Sequence, residues 1–328
     1  MQIETLFRAL ADPTRLRIVR LLGAMELAVG ELAQVLGQSQ PRVSRHVGIL
    51  CDAGLAERRR EGSWVFLRAA TGCEHSSKLG EGITQLLAEA EQEDPEFAAQ
   101  CEEDRRKLNA IRSARQDTAE DYFTRHASEW DELRSLHSPD QLVEAKLVEM
   151  LGDGSLGRVL DIGTGTGRMA ELFAHSADHV VALDKSLEML RVARAKLQHL
   201  PTQQVELVQG DFTDLPFSLA SFDTILLHQV LHFAQEPEQA LAEAARVARD
   251  GAHIAIVDFA AHAHEELREK HAHARLGFSD AQIEELLSQS GFETTAAQAL
   301  DGGELTVKIW IGRRIPMTNA TSGKEIAA

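Results

Sequence analysis

The sequence has few cysteines, few aromatic residues and no long apolar run. Its three cysteines, Cys51, Cys73 and Cys101, lie far apart and form no Cys-x-x-Cys pair. This spacing argues against a disulfide framework and a four-thiolate zinc site. No stretch of eighteen apolar residues is present, and residues 1–4 (Met-Gln-Ile-Glu) do not begin a signal peptide. We therefore expect a soluble, cytoplasmic protein with no membrane segment.

Charge is distributed unevenly along the chain. The whole sequence carries 34 basic and 51 acidic residues, a formal net charge of −17, which is unusual for a DNA-binding protein. The first 70 residues differ, because they hold ten arginines against seven acidic residues. A nucleic-acid-binding surface is therefore expected only in this first segment. With 328 residues, 44% of them hydrophobic, the chain is long enough for two domains.

The first segment has the apolar spacing of short amphipathic helices. Asp12 is a candidate N-cap with Pro13 in the first helical position. Further helices are predicted over Val29–Leu36 and Pro41–Ala53, each followed by a glycine. Leu55–Ala69 then changes to a strand-like pattern with a central turn, which predicts a hairpin. This order of elements is typical of a winged helix-turn-helix, whose second helix enters the major groove of DNA.

Polar and basic side chains cluster at the start of that second helix and on the hairpin. They suit contacts with base edges and phosphates. The predicted DNA-binding residues are Ser39, Gln40, Arg42, Ser44, Arg45, His46, Arg58, Arg59 and Arg60. The arginine triplet alone is more typical of a solvated basic surface, whereas the whole arrangement favours DNA binding.

Three stretches of this segment resemble the ArsR/SmtB family of bacterial repressors. They are residues 10–18 (Leu-Ala-Asp-Pro-Thr-Arg-Leu-Arg-Ile), 39–46 (Ser-Gln-Pro-Arg-Val-Ser-Arg-His) and 58–62 (Arg-Arg-Arg-Glu-Gly). The resemblance implies a homodimer that binds double-stranded operator DNA with two-fold symmetry. The cysteines of arsenic-sensing members are missing from residues 26–32, and no histidine occurs between residues 76 and 120. We therefore expect no metal site, and a structural or solvent-facing role for Cys73 and His75.

The rest of the chain divides by composition. Residues 73–120 are rich in Glu, Gln, Ala, Lys and Arg, which predicts exposed helices that form a linker and dimerisation segment after the DNA-binding domain of residues 1–72. Residues 121–314 alternate short apolar runs with helical stretches, which predicts a parallel α/β domain closed by a hairpin around residues 301–303. Residues 315–328 are expected to form a disordered tail. The predicted strands are Arg158–Ile162, His179–Leu183, Val205–Gln209, Thr224–Leu227, His253–Asp258, Thr294–Leu300 and Glu304–Gly312.

A glycine-rich turn follows the first of these strands. Residues 161–167 read Asp-Ile-Gly-Thr-Gly-Thr-Gly and open a helix, so the backbone of this turn allows the close approach of a ligand. A dinucleotide site would need glycine at Arg168, so the turn fits an adenosyl-methionine better than a pyrophosphate. The second and third strands end in Asp184 and Asp211, carboxylates placed to accept from ribose and adenine. The predicted cofactor-binding residues are Asp161, Gly163, Thr164, Gly165, Gly167, Asp184, Lys185, Met189, Asp211, Phe212 and His228.

These motifs resemble class I S-adenosylmethionine-dependent methyltransferases, including the ubiquinone/menaquinone methyltransferases, from about Tyr122 to Gly312. The resemblance implies a Rossmann-like α/β domain that binds S-adenosylmethionine or S-adenosylhomocysteine. It also implies Asp161 near the methionyl amine, Asp184 on the ribose and Asp211 at the adenine. The expected fold class is thus a multi-domain chain, with a mainly α winged helix-turn-helix followed by this α/β domain.

The residues on the substrate side leave alternatives open. His228 and His232 follow the fourth strand, and a neutral imidazole there could deprotonate a methyl acceptor or simply bond the backbone. Four further histidines, at positions 262, 264, 271 and 273, fall in a polar stretch and could face solvent, form a lid or bind a ligand. The fourth strand lacks the Asn/Asp-Pro-Pro-aromatic stretch of amino-methylating DNA enzymes, which argues against DNA modification. Two functions remain open. One is a regulator that senses S-adenosylmethionine or S-adenosylhomocysteine, and the other is a small-molecule methyltransferase with an autoregulatory DNA-binding domain.

Overall fold

The computed structural model describes residues 3–24, 27–61, 64–70, 78–127, 130, 140–152, 154–201, 203–300 and 304–316. The chain divides into two compact units: Met1–Glu120 with Ala263–Leu267, and Asp121–His262 with Arg268–Ala328. Within the described ranges, no helix combines the length and the apolar character needed to cross a membrane.

Helices and a small antiparallel sheet make up the first unit. The helices are α1 (Ile3–Leu10), α2 (Pro13–Ala24), α3 (Val29–Leu36), α4 (Gln40–Asp52), α5 (Lys78–Glu93) and α6 (Pro95–His126), the last running on past the unit boundary. The strands are β1 (Leu27–Ala28), β2 (Ala56–Glu61) and β3 (Trp64–Ala69), in the order β1-β3-β2. The predicted winged helix-turn-helix, with α3 and α4 as its helix pair and β2 and β3 as its hairpin, is confirmed.

Local sequence signals explain the bounds of these helices. The Asp12 carboxylate accepts from the Arg15 N–H at 3.2 Å just before α2. Gly37 ends α3 with a φ of 63°, a left-handed conformation that glycine adopts without a steric penalty. The Asp94 carboxylate accepts from two N–H groups of the next turn and so begins α6, as the Asp-Pro-Glu sequence predicts.

Partly buried ion pairs join the long helices α5 and α6 to α2 within the first unit. Arg17 of α2 donates to both carboxylate oxygens of Asp104 of α6 at 2.6 Å each, and Asp104 is only 1% exposed. Arg20 of α2 pairs with Glu91 of α5, which also accepts from Arg105. These bonds lower the pKa of Glu91, the Arg105 hydrogen bond contributing most. The described part of the segment 73–120 therefore packs on the helix-turn-helix; Cys73 and His75 lie outside the described residues.

The second unit is a seven-stranded sheet flanked by helices. Its strands are β4 (Arg158–Ile162), β5 (His179–Asp184), β6 (Val205–Gln209), β7 (Phe222–His228), β8 (Ala248–Phe259), β9 (Phe292–Leu300) and β10 (Val307–Arg314). Its helices are α7 (Asp140–Leu151), α8 (Arg168–Phe173), α9 (Leu187–Leu197), α10 (Pro237–Val247) and α12 (Asp280–Gln289), with a 3-10 turn at Leu231–Phe233. Helix α11 (Glu266–His271) begins in residues assigned to the first unit and ends in residues of the second.

The sheet order is β6-β5-β4-β7-β8-β10-β9, parallel except at β10, which pairs antiparallel with both neighbours. The order reverses between β4 and β7, and open sheets of this kind bind ligands at the carboxyl ends of the strands beside that point. The predicted Rossmann-like fold and its closing hairpin are confirmed. The turn at residues 301–303 and residues 317–328 of the predicted tail lie outside the described residues.

Candidate cofactor and DNA-binding sites

The glycine-rich turn after β4 is folded back onto the end of β5. The N–H groups of Gly163 and Thr164 both donate to the Leu183 carbonyl, at 2.8 and 2.9 Å. Gly163, Gly165 and Gly167 have φ angles of 70°, 54° and 86°, values that side chains rarely allow. A Cβ on Gly163 would overlap the Val230 side chain, so this turn needs glycine for space as well as for φ.

Asp184 ties the end of β5 to this turn. One carboxylate oxygen accepts from the Gly165 N–H and the other from the Ser186 N–H, at 2.8 Å each. Burial raises the pKa of Asp184, and the backbone hydrogen bonds counteract only part of that effect. The structure therefore places Asp184, the residue predicted to bind the ribose, directly against the turn. Two backbone N–H donors orient its carboxylate.

Asp211, after β6, lies beside the other predicted residues. Lys185 Nζ is 3.2 Å from its carboxylate, and Thr213 donates to it from both its N–H and its hydroxyl. Burial alone would raise the pKa of Asp211, but the hydrogen bonds from Thr213 and the charge of Lys185 outweigh it and lower the pKa. Phe212 is half-buried against the core, and Met189 is buried within α9.

Strand β4 brings a second acidic residue, Asp161, to the glycine-rich turn. Asp161 is 1% exposed and accepts from the Thr164 hydroxyl at 2.5 Å. His228 ends β7, opposite Val257 of β8, and is 9% exposed. The structure thus gathers the predicted cofactor-binding residues at one edge of the sheet; their individual roles stay predictions.

A partly buried ion pair beside the turn was not predicted from the sequence. Arg168, the first residue of α8, donates to both oxygens of Glu144 on α7, at 2.7 and 2.5 Å. These hydrogen bonds raise the pKa of Arg168. Arg168, which stands where a dinucleotide site would need glycine, therefore links α7 to the start of α8. The sequence carries no local signal for a partner 24 residues away.

The histidines after β7 differ in their surroundings. His232 is 2% exposed, and its Nδ1 lies 2.8 Å from the carboxylate of Asp258, which is fully buried near the end of β8. His273 is buried against the His232 ring, with 4.1 Å between ring centroids, whereas His264 is exposed. Asp258 was not singled out in the sequence, although a carboxylate at the end of the fifth predicted strand was a usable signal. Among the residues that the structure describes, no cluster of His, Cys, Asp or Glu is placed to hold a metal ion.

Most of the predicted DNA-binding residues lie on α4 or directly before it. Val43, Val47 and Leu50 are buried, and His46 is half-buried with Nδ1 3.8 Å from an Asp12 carboxylate oxygen. The exposed residues are Ser39, Gln40, Arg42, Ser44 and Arg45. Arg58 of β2 is exposed and donates to the Ser44 carbonyl at 3.3 Å, which joins the hairpin to α4. The side chains of Arg59 and Arg60 lie outside the described residues.

Comparison with known families identifies both halves. A model described as a helix-turn-helix domain matches residues 10–59, and one described as a methyltransferase domain matches residues 160–256. The chain carries a helix-turn-helix domain and a methyltransferase domain. The methyltransferase domain implies binding of S-adenosylmethionine or S-adenosylhomocysteine, which confirms the predicted cofactor. The residues present fit such a group, since three left-handed glycines shape the turn at the carboxyl end of β4 and Asp184 offers an oriented carboxylate.

Relatives of each half are known. The demethylmenaquinone methyltransferase of Renibacterium salmoninarum is 36% identical over 113 residues, 34% of this chain and 46% of the relative. The arsenical resistance operon repressor of Escherichia coli is 50% identical over 64 residues, 19% of this chain and 55% of the relative. The chain spans about half the length of these relatives.

A solved structure supports the fold of the methyltransferase domain. A Haloferax volcanii chain described as a candidate methyltransferase, in complex with a methyltransferase activator, aligns with a TM-score of 0.50 at 20% identity. The alignment covers 59% of this chain and 98% of that chain. At this identity the likeness shows the fold alone.

Proposed function

We propose that this protein is a transcriptional regulator whose methyltransferase domain binds S-adenosylmethionine or S-adenosylhomocysteine as an effector. The observation that carries the proposal is the presence, in one chain, of an exposed basic face on α4 and a glycine turn with Asp184 held against it. The Escherichia coli relative is by name an operon repressor. The thiolates of arsenic sensors are absent from residues 26–32, so a different effector is needed.

The regulator is proposed to act as a homodimer. On α1, Leu6 and Ala9 are buried, whereas Ile3 and Phe7 are 58% and 63% exposed. Residues four apart lie on the same face of a helix, so these two side chains form an apolar face that a second copy can cover. A two-fold dimer would present two α4 helices to successive major grooves of one operator.

Effector control requires that the ligand bind one state of the protein better than the other. Only a difference in affinity between the DNA-bound and free states can shift operator occupancy. A coupling free energy of about 1–3 kcal/mol would change operator affinity roughly 5- to 150-fold. S-adenosylmethionine carries a sulfonium charge that S-adenosylhomocysteine lacks, so we expect the two ligands to produce different shifts.

An operator-binding titration tests this proposal. The probe is a DNA duplex that the full chain selects from a randomised library, titrated without ligand, with S-adenosylmethionine and with S-adenosylhomocysteine. We expect at least one ligand to change operator affinity fivefold or more. The Asp184→Ala variant, which loses the carboxylate facing the glycine turn, should bind the duplex but show no ligand effect.

Two results would contradict the proposal. If neither ligand alters operator affinity although calorimetry shows that both bind, the sensor role is lost. If no duplex is selected at all, the DNA-binding role is lost.

The contribution of α4 can be tested on the same duplex. We expect Arg42→Ala and Arg45→Ala each to weaken operator binding about 10- to 100-fold and to reduce its salt dependence, because each removes a cation from the exposed face of the helix. The control is Arg191→Ala, which removes a 78% exposed arginine from α9. Equal operator affinity for Arg42→Ala, Arg45→Ala and the control would refute the assignment of α4 as the recognition helix.

A second candidate function is favoured by the buried contact between His232 and Asp258. A buried histidine held by a carboxylate at the ligand edge of the sheet is suited to proton transfer. In this alternative the domain methylates a small molecule, and the helix-turn-helix regulates expression of the protein itself. The names of several curated relatives, which are methyltransferases, support this alternative.

A further inference from the structure

Asp258 fixes the imidazole of His232 in one orientation. Its carboxylate accepts three N–H bonds: from the His232 ring at 2.8 Å, the His232 backbone at 3.1 Å and the Phe259 backbone at 2.8 Å. The two backbone N–H groups can only donate, so the carboxylate accepts from them, and we assign the proton of the third bond to His232 Nδ1. The lone pair is then on Nε2, which has no hydrogen-bond partner among the described residues.

Two aromatic side chains, Phe233 and Trp130, connect this histidine to the glycine turn. The Val230 side chain packs on Gly163, and Trp130 Nε1 lies 3.5 Å from where a Cβ of Gly165 would be. Trp130 packs in turn on Phe233, whose ring centroid is 4.0 Å from that of His232. Phe233 therefore connects the imidazole to Trp130, which lies beside Gly165 of the glycine turn.

Aromatic rings surround the imidazole. The rings of His273 and Phe259 have centroids 4.1 and 5.2 Å from that of His232. Phe233, Trp130 and Phe123 are half-buried and pack on one another, and Phe233 also contacts the imidazole. Such walls suit a flat aromatic molecule, which gains contact area and edge-to-face packing there.

Backbone strain and a buried amide mark the same place. Gln229, just before Val230, has a φ of 52°, and Ala272, just before His273, has a φ of 58°. Non-glycine residues held in this conformation concentrate at functional sites. Gln229 is 6% exposed, and its Nε2 group has no hydrogen-bond partner among the described residues. A ligand oxygen would satisfy this buried donor.

We propose that His232, oriented by Asp258, is the general base for methyl transfer to the hydroxyl oxygen of a flat aromatic acceptor. The acceptor oxygen forms a bond to the methyl carbon while its proton passes to His232 Nε2. The bond between that carbon and the sulfonium sulfur breaks, and its electron pair remains on the sulfur. The resulting imidazolium is stabilised by the Asp258 carboxylate, and Gln229 donates an N–H to an oxygen of the acceptor.

The inference rests on the second candidate function, and its test separates the two. The full chain is given S-adenosylmethionine with phenol or with 4-nitrophenol, which is far more acidic, and S-adenosylhomocysteine formation is measured. We expect His232→Gln to lower kcat about 100-fold or more on phenol, and less than tenfold on 4-nitrophenol, because an acceptor that is already ionised needs no base. Asp258→Asn should show the same selective loss, while His253→Gln, an exposed histidine near the other end of β8, should not.

A measurement without turnover complements these rates. Nitrogen NMR of the wild-type imidazoles should show His232 with its proton on Nδ1, and Asp258→Asn should change that signal. A proton on Nε2, an equal loss on both phenols, or no turnover of either phenol would overturn the inference. Cofactor affinity measured by calorimetry, and the operator titration above, would still report on effector binding if the inference failed.

Discussion

Substituting Gly163 with alanine is expected to weaken S-adenosylhomocysteine binding about 100-fold. Alanine at a φ of 70° costs about 1–2 kcal/mol, and its Cβ would overlap the Val230 side chain. Overpacking of this kind costs a further 1–3 kcal/mol or so. The turn can release this strain only by leaving the conformation that faces the cofactor, so the cost is expected to appear as lost affinity, measurable by calorimetry.

Two companion variants make this prediction specific. Gly163→Ala combined with Val230→Ala removes the overlap but keeps the unfavourable φ, so it should recover about half of the lost binding free energy. Gly154→Ala adds a Cβ with no atom within 4 Å and should bind as the wild type does. If Gly163→Ala retained wild-type affinity, the cofactor could not depend on the conformation of this turn.

The second large effect concerns the stability of the first unit. Replacing Arg17 with methionine leaves the buried Asp104 carboxylate without its two strongest donors. Breaking one partner out of a buried pair costs about 3–5 kcal/mol, a large fraction of the roughly 5–15 kcal/mol that stabilises a typical domain. Hydrogen exchange by mass spectrometry on the full chain should show α2 and α6 losing protection, with β4 to β8 unchanged.

A double variant distinguishes the effect of the unpaired Asp104 charge on exchange protection from the effect of lost packing. Arg17→Met combined with Asp104→Leu removes both charges, and we expect it to recover most of the protection, since an apolar pair often replaces a buried ion pair without cost. Arg106→Ala breaks an exposed pair with Glu103 on the same helix and should cost under about 1 kcal/mol. Equal exchange for Arg17→Met and Arg106→Ala would show that the buried pair contributes little.

Much of the fold follows from local sequence. Strand β4 is predicted at its observed bounds, because both faces of a central parallel strand are buried and the strand therefore reads as an apolar run. Gly37 and Asp94 mark helix ends through conformations and caps that depend on neighbouring residues alone. The acids at the end of β5 and shortly after β6 were predictable, because parallel strands bring their carboxyl ends to one edge of the sheet.

The pairs that the sequence did not reveal join residues distant in the chain. Arg17 and Asp104 are 87 residues apart, and His232 and Asp258 are 26 apart. Nothing in the spacing of charged residues distinguishes Asp104 from the many exposed acids, and the strand end that marks Asp258 does not reveal its partner, because both pairings are decided by tertiary packing. His273 is a similar case: the polar stretch left open whether it faces solvent, forms a lid or binds a ligand. In the structure its loop folds back so that the Ala274 and Arg275 N–H groups donate to the His232 carbonyl.

Helix α4 has a set of buried residues and a separate set of exposed residues. Val43, Val47 and Leu50 supply its packing, while Gln40, Arg42, Ser44 and Arg45 face outward. Exchanging exposed residues of a helix usually changes folding free energy by less than about 0.5 kcal/mol. With the proposed role of α4 in DNA recognition, the target DNA could therefore be changed, by design or by mutation over time, while the packing that supports the helix stays intact.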